Sequence, residues 1–130
     1  MNGAPQPLRP RRKLTALPLY PALPRGNVGC PGYADAGAPL DAWRAYLEAL
    51  QEGIKRIAAY APDVVVVSLG VDTYKDDPIS HFKLEHEHFT QIGALIKTLG
   101  KPMLFVMEGG HAVAEIGINA VNVLTGFEGA

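Results

Sequence analysis

The chain reads as an α/β protein of three layers, with helices on both sides of a parallel sheet, and three observations carry that reading. Val64-Val65-Val66-Val67-Ser68-Leu69, opened by Pro62-Asp63 and closed by Gly70, has the apolar continuity of a central strand buried on both faces. Met103-Leu104-Phe105-Val106-Met107 is a second such run, and the segment between them has the period of an amphipathic helix. Chemistry-bearing residues stand directly behind each run: Asp72 behind the first, Glu108-Gly109-Gly110-His111 behind the second. Open α/β sheets bind their ligands at that edge, just past the carboxyl ends of the strands.

Composition limits the alternatives. With 130 residues, 48% hydrophobic and 19% charged, the chain has the size and balance of one globular domain. Twelve Lys and Arg against thirteen Asp and Glu leave a net charge of −1, which argues against a nucleic-acid groove or an anionic membrane surface as partner. A lone Cys30 excludes an internal disulfide framework and a CxxC zinc site. No apolar run reaches the roughly 18 to 20 residues a membrane span needs, and the expected compartment is the cytoplasm.

Taken in order, Met1 to Leu14 is rich in Pro and Arg, lacks periodicity, and is expected to be a disordered arm ahead of a domain over 15–130. Thr15 to Leu19 is a short strand candidate, demoted to an edge by Pro18. From Tyr20 to Pro39 the density of Pro and Gly predicts a long loop. Asp41 is the expected cap of a helix to about Tyr60, with Trp43, Leu47, Leu50, Ile54 and Ile57 on one stripe. A second helix is expected from about Glu85 to Leu99, with Phe89, Ile92, Ile96 and Leu99 inward and Gly100 behind it. The third, about Val113 to Thr125, presents Ile116, Ala120, Val123 and Leu124, with Gly126 as its stop. Strand, helix, strand, helix is the order of parallel βαβ units, so the loops carrying Asp72 and His111 meet at one sheet edge.

Asp72, Asp76 and Asp77 on one loop and Glu108 and His111 on the other suit a metal site or general acid-base work. The same residues also fit a bland reading, in which Asp76-Asp77-Pro78 is an Asx turn and Glu108 anchors the Gly109-Gly110 turn. His86 and His88 lie two apart on a helix, which separates the rings and favours a solvated first turn over a metal pair. His81, beside Asp77, is a candidate pocket residue. Gly70-Val71-Asp72 lacks the GxGxxG spacing of a dinucleotide site.

Two long motifs carry a resemblance. Ser68-Leu69-Gly70-Val71-Asp72-Thr73 with Asp76-Asp77-Pro78-Ile79-Ser80-His81-Phe82, then Val106-Met107-Glu108-Gly109-Gly110 and Glu115 to Leu124, resemble the C-terminal portion of the histone deacetylase superfamily. The nearest branch is the bacterial acetylpolyamine amidohydrolases, and Leu23-Pro24-Arg25-Gly26 extends the likeness to roughly Leu23 to Phe127. The resemblance implies part of an arginase/deacetylase-type fold and a zinc-dependent hydrolysis of acetylpolyamines or acetyl-lysine. It implies Asp72 as a zinc ligand, Ile79, Gly109 and Gly110 as tunnel residues, and His111 at the catalytic position where most members carry an oxyanion-donating tyrosine and class IIa deacetylases carry histidine. The family's His-His pair and Asp-x-His ligands occur nowhere in this chain. It is therefore expected to be a truncated copy, completed by a complementary front-half chain or associating as a homo-oligomer, with a non-catalytic remnant or partner-binding domain as the alternative.

Overall fold

The structure, a computed structural model, describes residues 39–80 and 82–129. The expectations for the arm, the Thr15 to Leu19 strand, the long loop up to residue 38 and His81 lie outside the described residues. Five elements follow in order: α1 (Pro39–Tyr60), β1 (Val65–Leu69), α2 (His86–Lys97), β2 (Met103–Met107) and α3 (Ile116–Glu128). The strands pair in parallel with Val65 opposite Met103 and Leu69 opposite Met107, α2 forming the crossover between them. No helix among the described residues is long and apolar enough to cross a membrane.

The valine run is buried on one face, against the expectation of two. Val65 and Leu69 are buried while Val66 is 59% exposed, and on β2 Leu104 is 56% exposed. Strand geometry sends alternate side chains to opposite faces. Here the face of Val65, Val67, Leu69, Met103 and Phe105 meets the helices and that of Val64, Val66, Leu104 and Val106 meets solvent. Among the described residues the fold thus has two of its three layers, the sheet and one helical layer.

Leu50 of α1, Phe89, Ile92 and Ile96 of α2 and Val123 of α3 gather with Leu69, Val71, Tyr74 and Leu84 in one core. Phe127 of α3 meets Phe105 of β2 edge-on, with ring centroids 5.1 Å apart. α2 and α3 lie backbone against backbone where two glycines meet. A Cβ at Gly93 would fall 1.9 Å from the Val123 carbonyl oxygen, and one at Gly126 would fall 1.9 Å from that of Thr90.

This contact explains why α3 outruns its expected stop. Gly126 lies inside the helix, where it admits the neighbouring backbone, and the left-handed cap is Gly129 with φ 83°. The start of α3 is also later than expected, because the Ala112 carbonyl takes the amides of Glu115 and Ile116 in a turn ahead of it. α1 begins at Pro39, whose fixed φ suits a first helical turn, so Asp41 lies within the helix and is not its N-cap. For α2 the expected bounds contract by one residue at the start and two at the end, with Glu85 as N-cap and Thr98 as C-cap.

Candidate active site

The parallel ladder continues past both strands and brings the two loops side by side. Glu108 N–H donates to the Leu69 carbonyl at 3.0 Å, and Val71 N–H donates to the Gly109 carbonyl at 2.9 Å. Asp72 therefore stands next to Gly109, and its carboxylate fits where two glycines leave room: a Cβ at Gly70 would lie 3.2 Å from Oδ1, one at Gly109 3.2 Å from Oδ2. Asp72 is half-buried, and among the described residues its carboxylate has no hydrogen-bond or ion-pair partner. A carboxylate at a strand end without a partner among the described residues is available to accept from a ligand.

The loop behind Asp72 is closed on itself. Tyr74 and Leu84 form a bridge, Lys75 N–H donates to the Leu84 carbonyl at 3.0 Å, and Leu84 N–H donates to the Thr73 carbonyl at 3.2 Å. Leu84 and Tyr74 are core residues, so the loop is anchored at both ends by apolar burial. Lys75 adds an ion pair to Glu85 at 2.7 Å, and this contact raises the pKa of the ammonium group.

Asp77 joins this loop to the next. Its side chain is completely buried, Oδ1 accepts the amide of Ile79 at 3.1 Å, and Oδ2 accepts that of His111 at 2.7 Å. The first bond is the expected Asx turn; the second reaches across 34 residues. Burial by itself would raise the carboxyl's pKa. The amides of His111 and Ile79, the His111 charge and the Ala112 amide outweigh that and hold it below the ordinary carboxylate range. His111 Nδ1 lies 3.5 Å from Oδ2, and the ring itself is 45% exposed.

Gly110 has φ 153°, and a Cβ there would meet Val71 Cγ2 at 2.9 Å. Only glycine fits the turn that delivers His111. Ile79 is exposed. Glu108 does not anchor the glycine turn by its side chain; its carboxylate accepts the Ser68 hydroxyl at 3.2 Å.

The α2 histidines are separated, as their spacing predicts, and both are half-buried in the first turn, each with ring contacts of its own. His88 stacks on Trp43 at 4.3 Å and its Nδ1 accepts the Glu85 amide at 3.0 Å, while burial lowers its pKa. His86 Nδ1 meets Asn119 Oδ1 at 2.6 Å and Nε2 meets the Tyr74 hydroxyl at 3.2 Å, with Glu115 Oε2 3.4 Å away. An amide oxygen can only accept, so Nδ1 donates to it and Nε2 accepts from the Tyr74 hydroxyl. Burial, then the Asp76 charge, pushes the phenol's pKa up and keeps that donor protonated. This seam of Tyr74, His86 and Asn119, together with the reach of Asp77 to His111, was missed in the sequence. The mid-helix Asn119 on an inward face was the one signal that could have found it.

Together, a carboxylate without a partner among the described residues and a loop-held imidazole meet at the carboxyl edge of a parallel α/β sheet, the edge at which such folds bind ligands. The family model for the histone deacetylase domain matches residues 39–127, and the chain belongs to that family. Within it, the chain is 57% identical over 94 residues to acetylpolyamine amidohydrolase 1 of Pseudomonas aeruginosa, covering 72% of this chain and 26% of that protein. It is 54% identical over 108 residues to acetylpolyamine amidohydrolase 2 of the same organism, covering 81% and 31%. The crystal structure of an acetylpolyamine aminohydrolase from Burkholderia pseudomallei superposes with a TM-score of 0.65 at 33% identity, over 67% of this chain and 25% of that one. The fold is thus part of the arginase/deacetylase type, and the chain spans about a quarter to a third of the length of the curated relatives it matches.

Proposed function

We propose that this chain supplies one edge of a deacetylase site that removes acetyl groups from acetylpolyamines, as the names of its relatives indicate. Asp72 is the metal-ligating carboxylate, Gly109 and Gly110 let the backbone approach the substrate tunnel, Ile79 lines its rim, and His111 stands at the oxyanion. The observation that carries the reading is the uncommitted Asp72 carboxylate seated between Gly70 and Gly109, beside the turn that delivers His111.

The family's cofactor is zinc, but the residues described here do not hold it by themselves. Catalytic zinc uses three protein ligands, and no group of three His, Cys, Asp or Glu converges among the described residues. The remaining ligands and the acid-base histidines must come from further polypeptide of the same kind of domain. Val64, Val66, Leu104 and Val106, exposed on one face of the sheet, support such a completing contact, since a parallel sheet is ordinarily covered on both faces.

Mixing the chain with the N-terminal segment of the first Pseudomonas relative, cut ahead of the matched region, tests the proposal. Zinc-dependent release of acetate from an N-acetylated diamine is expected, and it should be lost in Asp72→Ala. Activity that survives Asp72→Ala, or an assembled and zinc-loaded complex with none even as His111→Tyr, would refute it.

A further inference from the structure

Resting on the reading of His111 as the oxyanion-side residue, we propose that Asp77 is its positioning residue, fixing both the backbone and the tautomer of that histidine. Two amides from different loops converge on one carboxylate, Ile79 N–H on Oδ1 and His111 N–H on Oδ2, in a place from which solvent is excluded. The two donors sit on different oxygens, so an amide in the same place would turn its own NH2 against one of them, whereas a carboxylate accepts both. The same Oδ2 lies 3.5 Å from His111 Nδ1. An anionic oxygen beside Nδ1 retains the proton there, since a bare Nδ1 would set two lone pairs against each other. Nε2 is then the nitrogen left free to face substrate.

The position of His111 along the chain does not supply this control. The Gly109-Gly110 turn ahead of it has little conformational resistance of its own, and behind it the Ala112 to Glu115 turn precedes α3. Beyond the Val71–Gly109 bond, Asp77 is the side-chain tie that holds the turn to the Asp72 loop at His111 itself. The metal-side carboxylate and the oxyanion-side imidazole are thereby held in one frame, although they sit on separate loops.

The test reads the ring and the amides of the full chain by NMR, at a pH where imidazole is neutral. In the wild type, two-bond nitrogen-proton spectra should show His111 with its proton on Nδ1. The isosteric Asp77→Asn should abolish that preference and speed exchange of the Ile79 or His111 amide by roughly tenfold or more, the equivalent of one lost charge-assisted hydrogen bond. A purely structural role would slow or speed exchange without changing the tautomer. In His111→Ala the amide at position 111 should keep its protection, because the carboxylate still accepts it. A wild-type ring protonated on Nε2, an unchanged tautomer in Asp77→Asn, or lost protection at 111 in His111→Ala would each overturn the proposal. Should Asp77→Asn not fold, the wild-type tautomer and His111→Ala decide. None of these readouts needs metal, substrate or turnover, so the proposal can fail while the deacetylase reading stands, and the reverse.

Discussion

Gly126→Ala should be among the most damaging single-methyl changes in this chain. The added Cβ would lie 1.9 Å from the Thr90 carbonyl oxygen and 3.1 Å from the Ala94 nitrogen, so α2 and α3 would have to part by about 1.5 Å to reach ordinary contact at 3.4 Å. Parting them loosens Phe89, Ile92, Ile96 and Val123, all core residues packed along that seam. Overpacking commonly costs about 1–3 kcal/mol; here the clash is with backbone, which has no rotamer to yield, so about 3 kcal/mol or more is expected. That is a large fraction of the ~5–15 kcal/mol that holds an ordinary domain together. Gly117, in the same helix, has nothing within 4 Å of its would-be Cβ, and Gly117→Ala should stabilise by about 0.4–1 kcal/mol. Urea unfolding followed by far-ultraviolet circular dichroism separates the two variants. A Gly126→Ala midpoint equal to the wild type or above that of Gly117→Ala would refute the close-approach argument.

Three further outcomes are expected. Because the folded Asp77 carboxyl lies below its ordinary value, its contribution is fully present above about pH 4 and is lost as pH falls through the folded value; urea midpoints measured from pH 7 downward should show this, with the loss smaller in Asp77→Asn. The purified, dialysed chain alone should retain no stoichiometric zinc by elemental analysis, having Asp72 without two converging ligands among the described residues; tight zinc lost in Asp72→Ala would contradict this. The isolated chain should associate through its apolar sheet face, and Val66→Lys with Leu104→Lys should shift it toward monomer in size exclusion with light scattering, whereas a monodisperse wild-type monomer would count against it.

The parts of this molecule that were legible in its sequence are those where neighbours along the chain decide the outcome. Met103–Met107 is the strand its apolar run predicts, and the strand-helix-strand order alone places Asp72 and His111 on adjacent loops. The valine run was ambiguous because consecutive valines look alike on both faces, so periodicity could not reveal that Val66 is exposed. Gly126 reads as a stop in the sequence because a glycine near a helix end ordinarily is one. Its real role depends on Thr90, which local pattern does not bring near it. Asp77 was legible as a turn through Ile79, two residues on, but not as the partner of His111, 34 residues on.

The most direct test of the central claim is a graft. Placing this chain's residues 39–127 into the full-length first Pseudomonas relative, in place of its matching region, supplies the missing ligands in their native setting. The graft should bind zinc through Asp72, deacetylate an N-acetylated diamine weakly, and gain up to about 10²- to 10³-fold in rate on His111→Tyr, the usual worth of one oxyanion donor. A folded, zinc-loaded graft whose His111→Tyr variant is equally slow or slower would contradict the assignment of this edge as the oxyanion side of a deacetylase site.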